Sequence, residues 1–377
     1  MPATFTAPAP DTEAGAREGP GSLPILIAAR DEELLLPRTL DSMAAAARRF
    51  SEEVPGVRPR FLVCDNGSRD DTPRVLEGAR ERLGSEGIVM EVVSEPHPGK
   101  ERAIRRLLDL VEERCPRAAR LVFADADVEW EPDTLLALWR HLAANPGLDI
   151  VGGNLLPRES RWTVWSVADT VPYLDYGAGA HGLGRHMRFA IGMTYVGRAP
   201  RVAELHREVP LDLIDEDLAV NVLAGAGRVG IAPGAVVRFQ AARSFAEFWS
   251  MRYRHIRGIY ELERWVASRI DGGGGTWPGR GRVSRRARRE AKRTVREIVE
   301  TDTVSLARSL LFERHRAPVG GNGRVVLKRG IPVVLSFRHF AAILGVMLPV
   351  YSAMKAAAWF DDRRGVVRRG WRPWRGE

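Results

Sequence analysis

The order of strand and helix patterns between residues 23 and 149 restricts this chain to few folds. Four apolar runs of strand length lie at residues 23–29, 61–64, 88–93 and 121–124, and amphipathic helix patterns follow them at 32–50, 72–83, 100–113 and 132–144. Strands that alternate with helices form a mostly parallel sheet covered by helices on both faces. The sequence therefore predicts an α/β fold of this kind.

The rest of the chain divides into segments by composition. Residues 1–22 are rich in proline, alanine and glycine and lack the basic start and apolar core of a signal peptide, so we predict a disordered leader. We then predict two halves of one α/β domain, a glycine-rich loop with a basic helix, and an apolar helix with an Arg/Trp tail, at residues 23–149, 150–260, 261–330 and 331–377. The second half contains a short strand at 235–239 and ends in a helix pattern at 245–269.

Charge and cysteine content narrow the class of protein. The formal net charge is +9, which favours an anionic partner such as a phosphorylated ligand, a membrane surface or a nucleic acid. Cys64 and Cys115 are the only cysteines. Two cysteines argue against a disulfide scaffold or a cysteine-ligated zinc site and favour a reducing, cytoplasmic compartment.

Acidic residues stand where two of the predicted strands end. Asp65 follows the second strand, and Asp125 and Asp127 follow the fourth. Ligands of parallel α/β sheets bind at the carboxyl ends of the strands. Two neighbouring carboxylates repel each other, and Mg²⁺ or Mn²⁺ offsets that repulsion while bridging them to substrate phosphates. The alternative for this pair alone is a strand that ends in solvated acids.

Five short motifs follow one another along the chain: Ala29-Arg30-Asp31-Glu32-Glu33, the run DNGSRDDT at 65–72, Gly99-Lys100, Asp125-Ala126-Asp127 and Glu216-Asp217. Together they resemble those of the inverting GT-A glycosyltransferases of family 2, whose second strand ends in D-D-G-S-x-D-x-T. Asp31 stands where that family usually has asparagine. The resemblance extends over residues 23–258 and implies a GT-A fold, a Rossmann-like sheet. A helical extension follows it, and we expect this extension to associate with a membrane.

The resemblance implies a role for each matching residue. In the family, the counterparts of Asp127 and Asp125 hold Mg²⁺ or Mn²⁺, and the counterpart of Asp217, beside Glu216, is the general base that deprotonates the acceptor hydroxyl. Direct attack by that hydroxyl inverts the anomeric carbon. The sugar nucleotide, expected to be UDP-linked, would be contacted by the following residues: Ala28, Arg30, Glu32, Asp65, Lys100, Asp125 and Ala126. A helix N-terminus is the alternative reading of the acids at 215–217.

An arginine-rich helix pattern follows where many family members carry Q-x-x-R-W. Met251 replaces the glutamine and His255 the tryptophan, which argues against processive polymer synthesis. Arg254 and Arg257 are candidates for neutralising the leaving diphosphate. His255 is either a metal ligand or part of a polar helix face.

Three other functions fit parts of the sequence. A sugar-nucleotide nucleotidyltransferase would carry a glycine-rich basic loop after the first strand, and LIAARDEE has none. A retaining GT-A glycosyltransferase differs in the stereochemistry of its product. A basic nucleic-acid-binding protein is disfavoured because the charge clusters after residue 250 without a recognised module around it. We therefore predict a nucleotide sugar and a lipid-linked or glycan acceptor as partners, and no nucleic acid.

The segment at 340–360 has the length of a membrane-crossing helix, which needs about 20 apolar residues. Pro349 and Lys355 interrupt it, and Trp371, Trp374 and several arginines follow. A spanning helix, an in-plane anchor and a buried helix all fit this pattern. We expect the protein at the cytoplasmic face of a membrane.

Overall fold

The structure is a computed structural model and describes residues 21–158, 163–166, 168–169, 190–272, 283–299 and 337–363. Nearly all of the leader predicted at 1–22, most of the glycine-rich loop and the Arg/Trp tail from residue 364 lie outside the described residues.

Up to residue 144, strands and helices alternate in the order that the sequence predicts, apart from an additional two-residue strand at Glu129–Trp130. The strands are β1 (Gly21–Ala29), β2 (Val57–Asp65), β3 (Val89–Ser94), β4 (Arg120–Asp125), β5 (Glu129–Trp130), β6 (Ile150–Pro157), β7 (Thr194–Arg198) and β8 (Val229–Phe239). The helices are α1 (Leu36–Glu53), α2 (Thr72–Ser85), α3 (Lys100–Arg114), α4 (Thr134–Ala144), α5 (Ala199–Glu208), α6 (Glu216–Ala224), α7 (Phe245–Ile270), α8 (Arg285–Val299) and α9 (Phe337–Arg363).

All eight strands belong to one sheet with the order β3-β2-β1-β4-β7-β6-β8-β5. The pairs β1–β2, β2–β3, β1–β4 and β6–β8 are parallel, and β4–β7, β6–β7 and β5–β8 are antiparallel. The chain moves across the sheet from β1 to β2 to β3 and then returns past β1 to β4. Because parallel crossovers are right-handed, this return puts α3 on the face opposite α1 and α2. This mixed, mostly parallel sheet with helices on both faces confirms the predicted GT-A-like α/β class.

Two element boundaries differ from the sequence prediction. Helix α1 begins at Leu36 instead of residue 32, because Asp31 has a positive φ of 54° and the Glu32 carbonyl first accepts the N–H groups of Leu35 and Leu36 in a turn. Strand β8 begins at Val229 instead of residue 235, because it pairs with β6 on both sides of a bulge. Its glycines and proline have low strand propensity, so the sequence does not indicate this first part of the strand.

The register of the central strands fixes where the acids meet. Ala28 on β1 lies opposite Asp125 on β4, and Ala29 lies opposite Asp65 on β2. The carboxyl ends of these three parallel strands therefore form one rim. Fully buried Ile25 and Ile27 on β1 anchor the centre of the sheet below it.

Helices α8 and α9 of the C-terminal part each pack on α7. Helix α7 begins with an N-cap in which the Ser244 hydroxyl accepts the Glu247 N–H at 3.2 Å. Helix α9 packs on it through buried Met354 and Ala358, against Phe248 and Ile256. Neither α9 nor any other helix in the described part of the chain combines the length and apolar character that a bilayer crossing needs.

Candidate active site

Two loops at the ends of β1 and β2 are fastened to each other by five hydrogen bonds. The N–H groups of Asp31, Glu32 and Glu33 donate to the side chains of Ser68, Thr72 and Asp70, at 3.0, 2.7 and 3.1 Å. In return the Asp31 and Glu33 carboxylates accept the N–H groups of Arg69 and Asp71, at 2.6 and 2.8 Å. The carboxylates of Asp31 and Glu33, but not that of Glu32, thus hold the second motif in place.

Buried Asn66 and its neighbour Gly67 connect the second motif to the start of α3. The Asn66 Oδ1 accepts the Gly99 N–H at 2.8 Å, and its Nδ2 donates to the His97 carbonyl at 2.9 Å. Gly67 has φ of 69°, and a Cβ at this position would lie 2.8 Å from the Pro96 carbonyl oxygen. The second motif therefore positions Lys100, the first residue of α3, relative to the rim.

Lys100 joins the two acidic motifs, which lie about ninety residues apart in the sequence. Its Nζ is 2.7 Å from Asp125 Oδ1 and 2.8 Å from Glu216 Oε1. Burial disfavours the ammonium, but the two carboxylates outweigh it and raise the pKa of Lys100 well above its usual value. Burial raises the pKa of Glu216, with Lys100 opposing and Asp217 adding to the rise. The lysine therefore remains charged between two acids.

A turn before β7 provides a second link between the same motifs. The Gly192 N–H donates to Asp217 Oδ2 at 2.6 Å, and the Met193 carbonyl accepts the Asp125 N–H at 3.1 Å. Asp217 is half-buried, and burial raises its pKa although Lys100 opposes the rise. One of its carboxylate oxygens is thus held by the backbone, and the other accepts no hydrogen bond from a described residue.

Burial, and after it repulsion among carboxylates, raises the pKa values of two acids near the end of β4. The Asp127 side chain is exposed, yet partial desolvation by the surrounding protein and then repulsion from Asp125 raise its pKa to about 6. Glu32 is 7% exposed, and burial followed by repulsion from Asp127 and Asp125 raises its pKa to about 9. These two acids of the rim therefore bind protons more tightly than free carboxylates do.

These acids suit a divalent cation that takes the rest of its ligands from substrate and water. Within the described ranges, no group of three or more His, Cys, Asp and Glu side chains is arranged to hold a metal ion by itself. Mg²⁺ is commonly bound by one or two carboxylates plus substrate phosphates, so a partial site is what it needs. Asp127 would hold the ion, with Asp125 beside it.

Asp215, next to the acids of α6, is packed against α7. It is 8% exposed, and its Oδ2 is 3.3 Å from Nδ1 of His255. This carboxylate is the main cause of the raised pKa of His255. A Cβ on Gly258 would overlap the Asp215 carboxylate, so glycine is required there. The sequence left His255 as a metal ligand or a polar surface residue, and the structure gives it an acidic partner.

The two arginines proposed for the leaving group have different surroundings. Arg254 is exposed and close enough to Asp127 to lower the pKa of that acid. Arg257 is 4% exposed and pairs with Glu261 at 3.0 Å. Arg254 is therefore the better placed of the two for a phosphate in the cleft.

The other predicted contacts of the sugar nucleotide lie along the same rim. Half-buried Ala28 lies one residue before the end of β1, and the Asp65 carboxylate accepts the Ser68 N–H at 3.2 Å. The Arg30 Nε lies 3.8 Å from Asp31, and Ala126 is buried between the two acids of its motif. All four thus lie at or next to the carboxyl ends of β1, β2 and β4.

A buried series of hydrogen-bonded polar side chains next to Lys100 was not predicted from the sequence. The Tyr195 hydroxyl is 2.6 Å from His206 Nε2, and His206 Nδ1 is 3.0 Å from Glu101 Oε2. The side chains of His206 and Glu101 have no exposed surface. These residues tie the first turn of α3 to α5 and β7. Since they are scattered over about 100 positions, no local pattern indicates them.

The chain is similar to known glycosyltransferases. Residues 25–200 match the model of the family described as "Glycosyl transferase family 2". Among solved structures, the mannosyltransferase PcManGT from Pyrobaculum calidifontis, in complex with GDP-Man and Mn²⁺, is 16% identical with a TM-score of 0.54, over 94% of this chain and 89% of that one. This likeness shows a common fold.

A glucosyl-3-phosphoglycerate synthase from Mycobacterium tuberculosis, in complex with phosphoglyceric acid, is 18% identical with a TM-score of 0.41, over 64% of this chain and 80% of that one. A score this low does not by itself establish a common fold. No curated protein sequence matches the chain.

Proposed function

We propose that this protein is a glycosyltransferase that moves a sugar from a nucleotide-sugar donor to a hydroxyl group with inversion of the anomeric carbon, since residues 25–200 match the model of glycosyl transferase family 2. The double link between the two acidic motifs carries the proposal. Lys100 and the turn at Gly192 and Met193 each connect Asp125 to the acids that begin α6. A diphosphate bound near Asp125 would thus lie beside the base that activates its acceptor.

Asp217 acts as the general base in this proposal. A hydroxyl is a poor nucleophile near neutral pH, and a carboxylate within hydrogen-bonding distance removes its proton as attack proceeds. The Gly192 N–H fixes the orientation of Asp217, and burial raises the pKa of Asp217, which makes it a stronger base. Attack from this side, opposite the leaving diphosphate, inverts the anomeric carbon.

Cationic groups of the cleft stabilise the leaving nucleotide. Arg254 is placed to meet the phosphate charge that grows as the bond to the sugar breaks. A divalent ion at Asp127 would supply Lewis-acid stabilisation of the same diphosphate. Lys100 holds Asp125 and Glu216 at a fixed separation throughout.

UDP is the proposed nucleotide of the sugar donor, with Asp65 meeting the base. The similar archaeal mannosyltransferase was solved with GDP-Man and Mn²⁺, which makes GDP the necessary comparison. For the acceptor we propose a lipid-linked or glycan hydroxyl, reached at the cytoplasmic face of a membrane.

Calorimetric titration with UDP and with GDP, each with and without Mn²⁺, tests the proposal. We expect one nucleotide to bind in a Mn²⁺-dependent manner, and Asp127→Asn to abolish the metal dependence. Asp133→Asn, which removes an exposed acid at the start of α4, is the matched control and should bind like the unaltered protein. The absence of binding of either nucleotide to folded protein would refute the sugar-nucleotide assignment.

The stereochemistry is tested separately on the product. Proton NMR of the first product formed should show the anomeric configuration opposite to that of the sugar donor. A retained configuration would remove the role assigned to Asp217 while leaving nucleotide binding intact.

A further inference from the structure

Helix α8 presents a strongly basic surface that the proposed reaction does not use. Seven exposed side chains of this helix are basic: Arg285, Arg286, Arg288, Arg289, Lys292, Arg293 and Arg296. At about 100° per residue they fall within about 160° of the helix circumference. The one acid among its described side chains, Glu290, is half-buried and lies outside that arc. We call these seven residues the basic face.

The opposite side of α8 is anchored to the catalytic domain. Ala287, Ala291 and Val295 are buried and belong to the same core as Leu262 and Trp265 of α7. Helix α8 also contacts α6, whose first residues are the acids of the proposed base motif. The basic face is therefore held rigidly on the acceptor half of the enzyme and directed away from it.

Six of the seven basic side chains of this face are not neutralised within the described part of the protein. The side chains of Arg285, Arg286, Arg288, Arg289, Lys292 and Arg296 form no ion pair with any described residue. Most other arginines of the domain do pair, such as Arg80 with Glu77 and Arg114 with Glu91. So many cations on one face repel one another, and an external anionic surface would relieve that repulsion.

Exposed apolar side chains on and beside α7 and α9 favour a bilayer over a nucleic acid as that surface. Val164, Phe245, Trp359 and Phe360 are between 39% and 54% exposed, and all belong to α7, α9 or the segment that packs on them. Aromatic side chains are enriched at the level of lipid head groups, and arginine is attracted by anionic lipids. Phosphate contacts to a nucleic acid would not require exposed phenylalanine and valine.

We propose that the basic face of α8 docks the enzyme on a bilayer containing anionic phospholipid. The inference rests on the proposed membrane location of the enzyme and adds the surface responsible for it. Because α8 contacts α6, docking would present the acceptor half of the active site to the membrane. Each basic residue near an anionic surface contributes a factor of about five in affinity.

Flotation of the purified full chain with vesicles tests this proposal without any nucleotide. We expect binding to phosphatidylcholine vesicles that contain phosphatidylglycerol, weak binding to pure phosphatidylcholine, and release between about 0.1 M and about 1 M salt. A variant with four charges removed from the basic face should bind at least tenfold more weakly: R285Q/R288Q/R289Q/K292Q. The control removes four exposed arginines from the nucleotide-binding half and should bind within twofold of the unaltered protein: R58Q/R80Q/R106Q/R114Q.

Two outcomes would overturn the proposal. One is equal loss of vesicle binding in both variants, which would mean that net charge and not α8 is responsible. The other is unaltered vesicle binding in the α8 variant together with loss of binding to a DNA duplex at the same salt concentration, which would make the basic face a nucleic-acid site. Circular dichroism of both variants shows whether they are folded. Nucleotide calorimetry of both variants shows whether the proposed nucleotide site is intact, so that a failure of membrane docking is distinguished from a failure of the proposed function.

Discussion

At the scale of single residues, Asp217 is the most direct test of the chemistry. Asp217→Asn keeps the shape of the side chain and removes its basicity, so we expect the transfer rate to fall about 10²–10⁴-fold. Nucleotide binding should change little, because Asp217 contacts the Gly192 backbone and not the proposed nucleotide pocket. Quenched-flow measurement of single-turnover transfer checks this, with Asp212→Asn on the preceding exposed loop as control. Unchanged transfer in Asp217→Asn would assign the base elsewhere.

The raised pKa of Asp217 also predicts a pH dependence. A general base works only when ionised, so activity is lost as the pH falls through the pKa of Asp217 in the folded protein. Burial raises that pKa above the ordinary value of 3.8, and the neighbouring Glu216 titrates with it. We expect the acidic limb of the kcat profile to lie above pH 3.8 and to reflect the pair of acids. A limb at or below that value would mean that burial does not control the base.

Glu32 is predicted to destabilise the protein at high pH. Its pKa rises from 4.5 to about 9 on folding, through burial and then through repulsion from Asp127 and Asp125. The folded state therefore holds a proton that the unfolded state has lost, and stability falls as pH rises from about 4.5 to about 9. Glu32→Gln should remove this loss and raise the Tm at pH 8.5 by at least about 2 °C.

Thermal denaturation of Glu32→Gln between pH 5 and pH 9 measures this effect. Glu77→Gln, an exposed acid on α2, is the control and should retain the full dependence on pH. An unchanged pH dependence in Glu32→Gln would show that Glu32 is ionised in the folded protein.

At the scale of elements, α7 approaches Asp215 so closely at Gly258 that no space remains for a larger side chain there. Gly258→Ala would push its new methyl group into the Asp215 carboxylate and so displace the start of α6. Overpacking of this kind costs about 1–3 kcal/mol, and a shift of about 1 Å in a catalytic group costs up to about 100-fold in rate. Gly78→Ala on α2 has free space around it and should slightly stabilise the protein. Urea unfolding and transfer assays on both variants give the comparison, and equal behaviour of the two would contradict it.

The elements also show what could be learned from the sequence alone. The first four strands and their helices were predictable, because each apolar run or amphipathic pattern is local. Strands β6 and β7 and the early start of β8 were not recognised, because their residues are partly small and their order is set by pairing with distant strands. The acids of the site were found through their positions at strand ends. The chain Tyr195–His206–Glu101 and the close approach at Gly258 could not be found, because each arises only when separate elements meet.

At the scale of the whole molecule, the predicted boundary at residue 149 runs through a continuous sheet. Strand β4 pairs with β7, and β5 pairs with β8, so both strands from the first half depend on partners in the second. We expect a single cooperative unfolding transition for the catalytic domain, and a fragment that ends at residue 149 should fail to fold. Differential scanning calorimetry checks both statements, since two separate transitions would establish two independent units.

The five hydrogen bonds that fasten the first two motifs have a consequence for how sequences of this type vary. Ser68, Asp70 and Thr72 contribute their side chains, whereas Arg69 and Asp71 contribute only their backbone N–H groups. Any residue except proline supplies a backbone N–H. The spacing S-x-D-x-T therefore follows from the hydrogen bonds between the two loops, in which side chains and backbone N–H groups alternate along the motif. Substitutions at the two x positions, other than to proline, leave these hydrogen bonds intact.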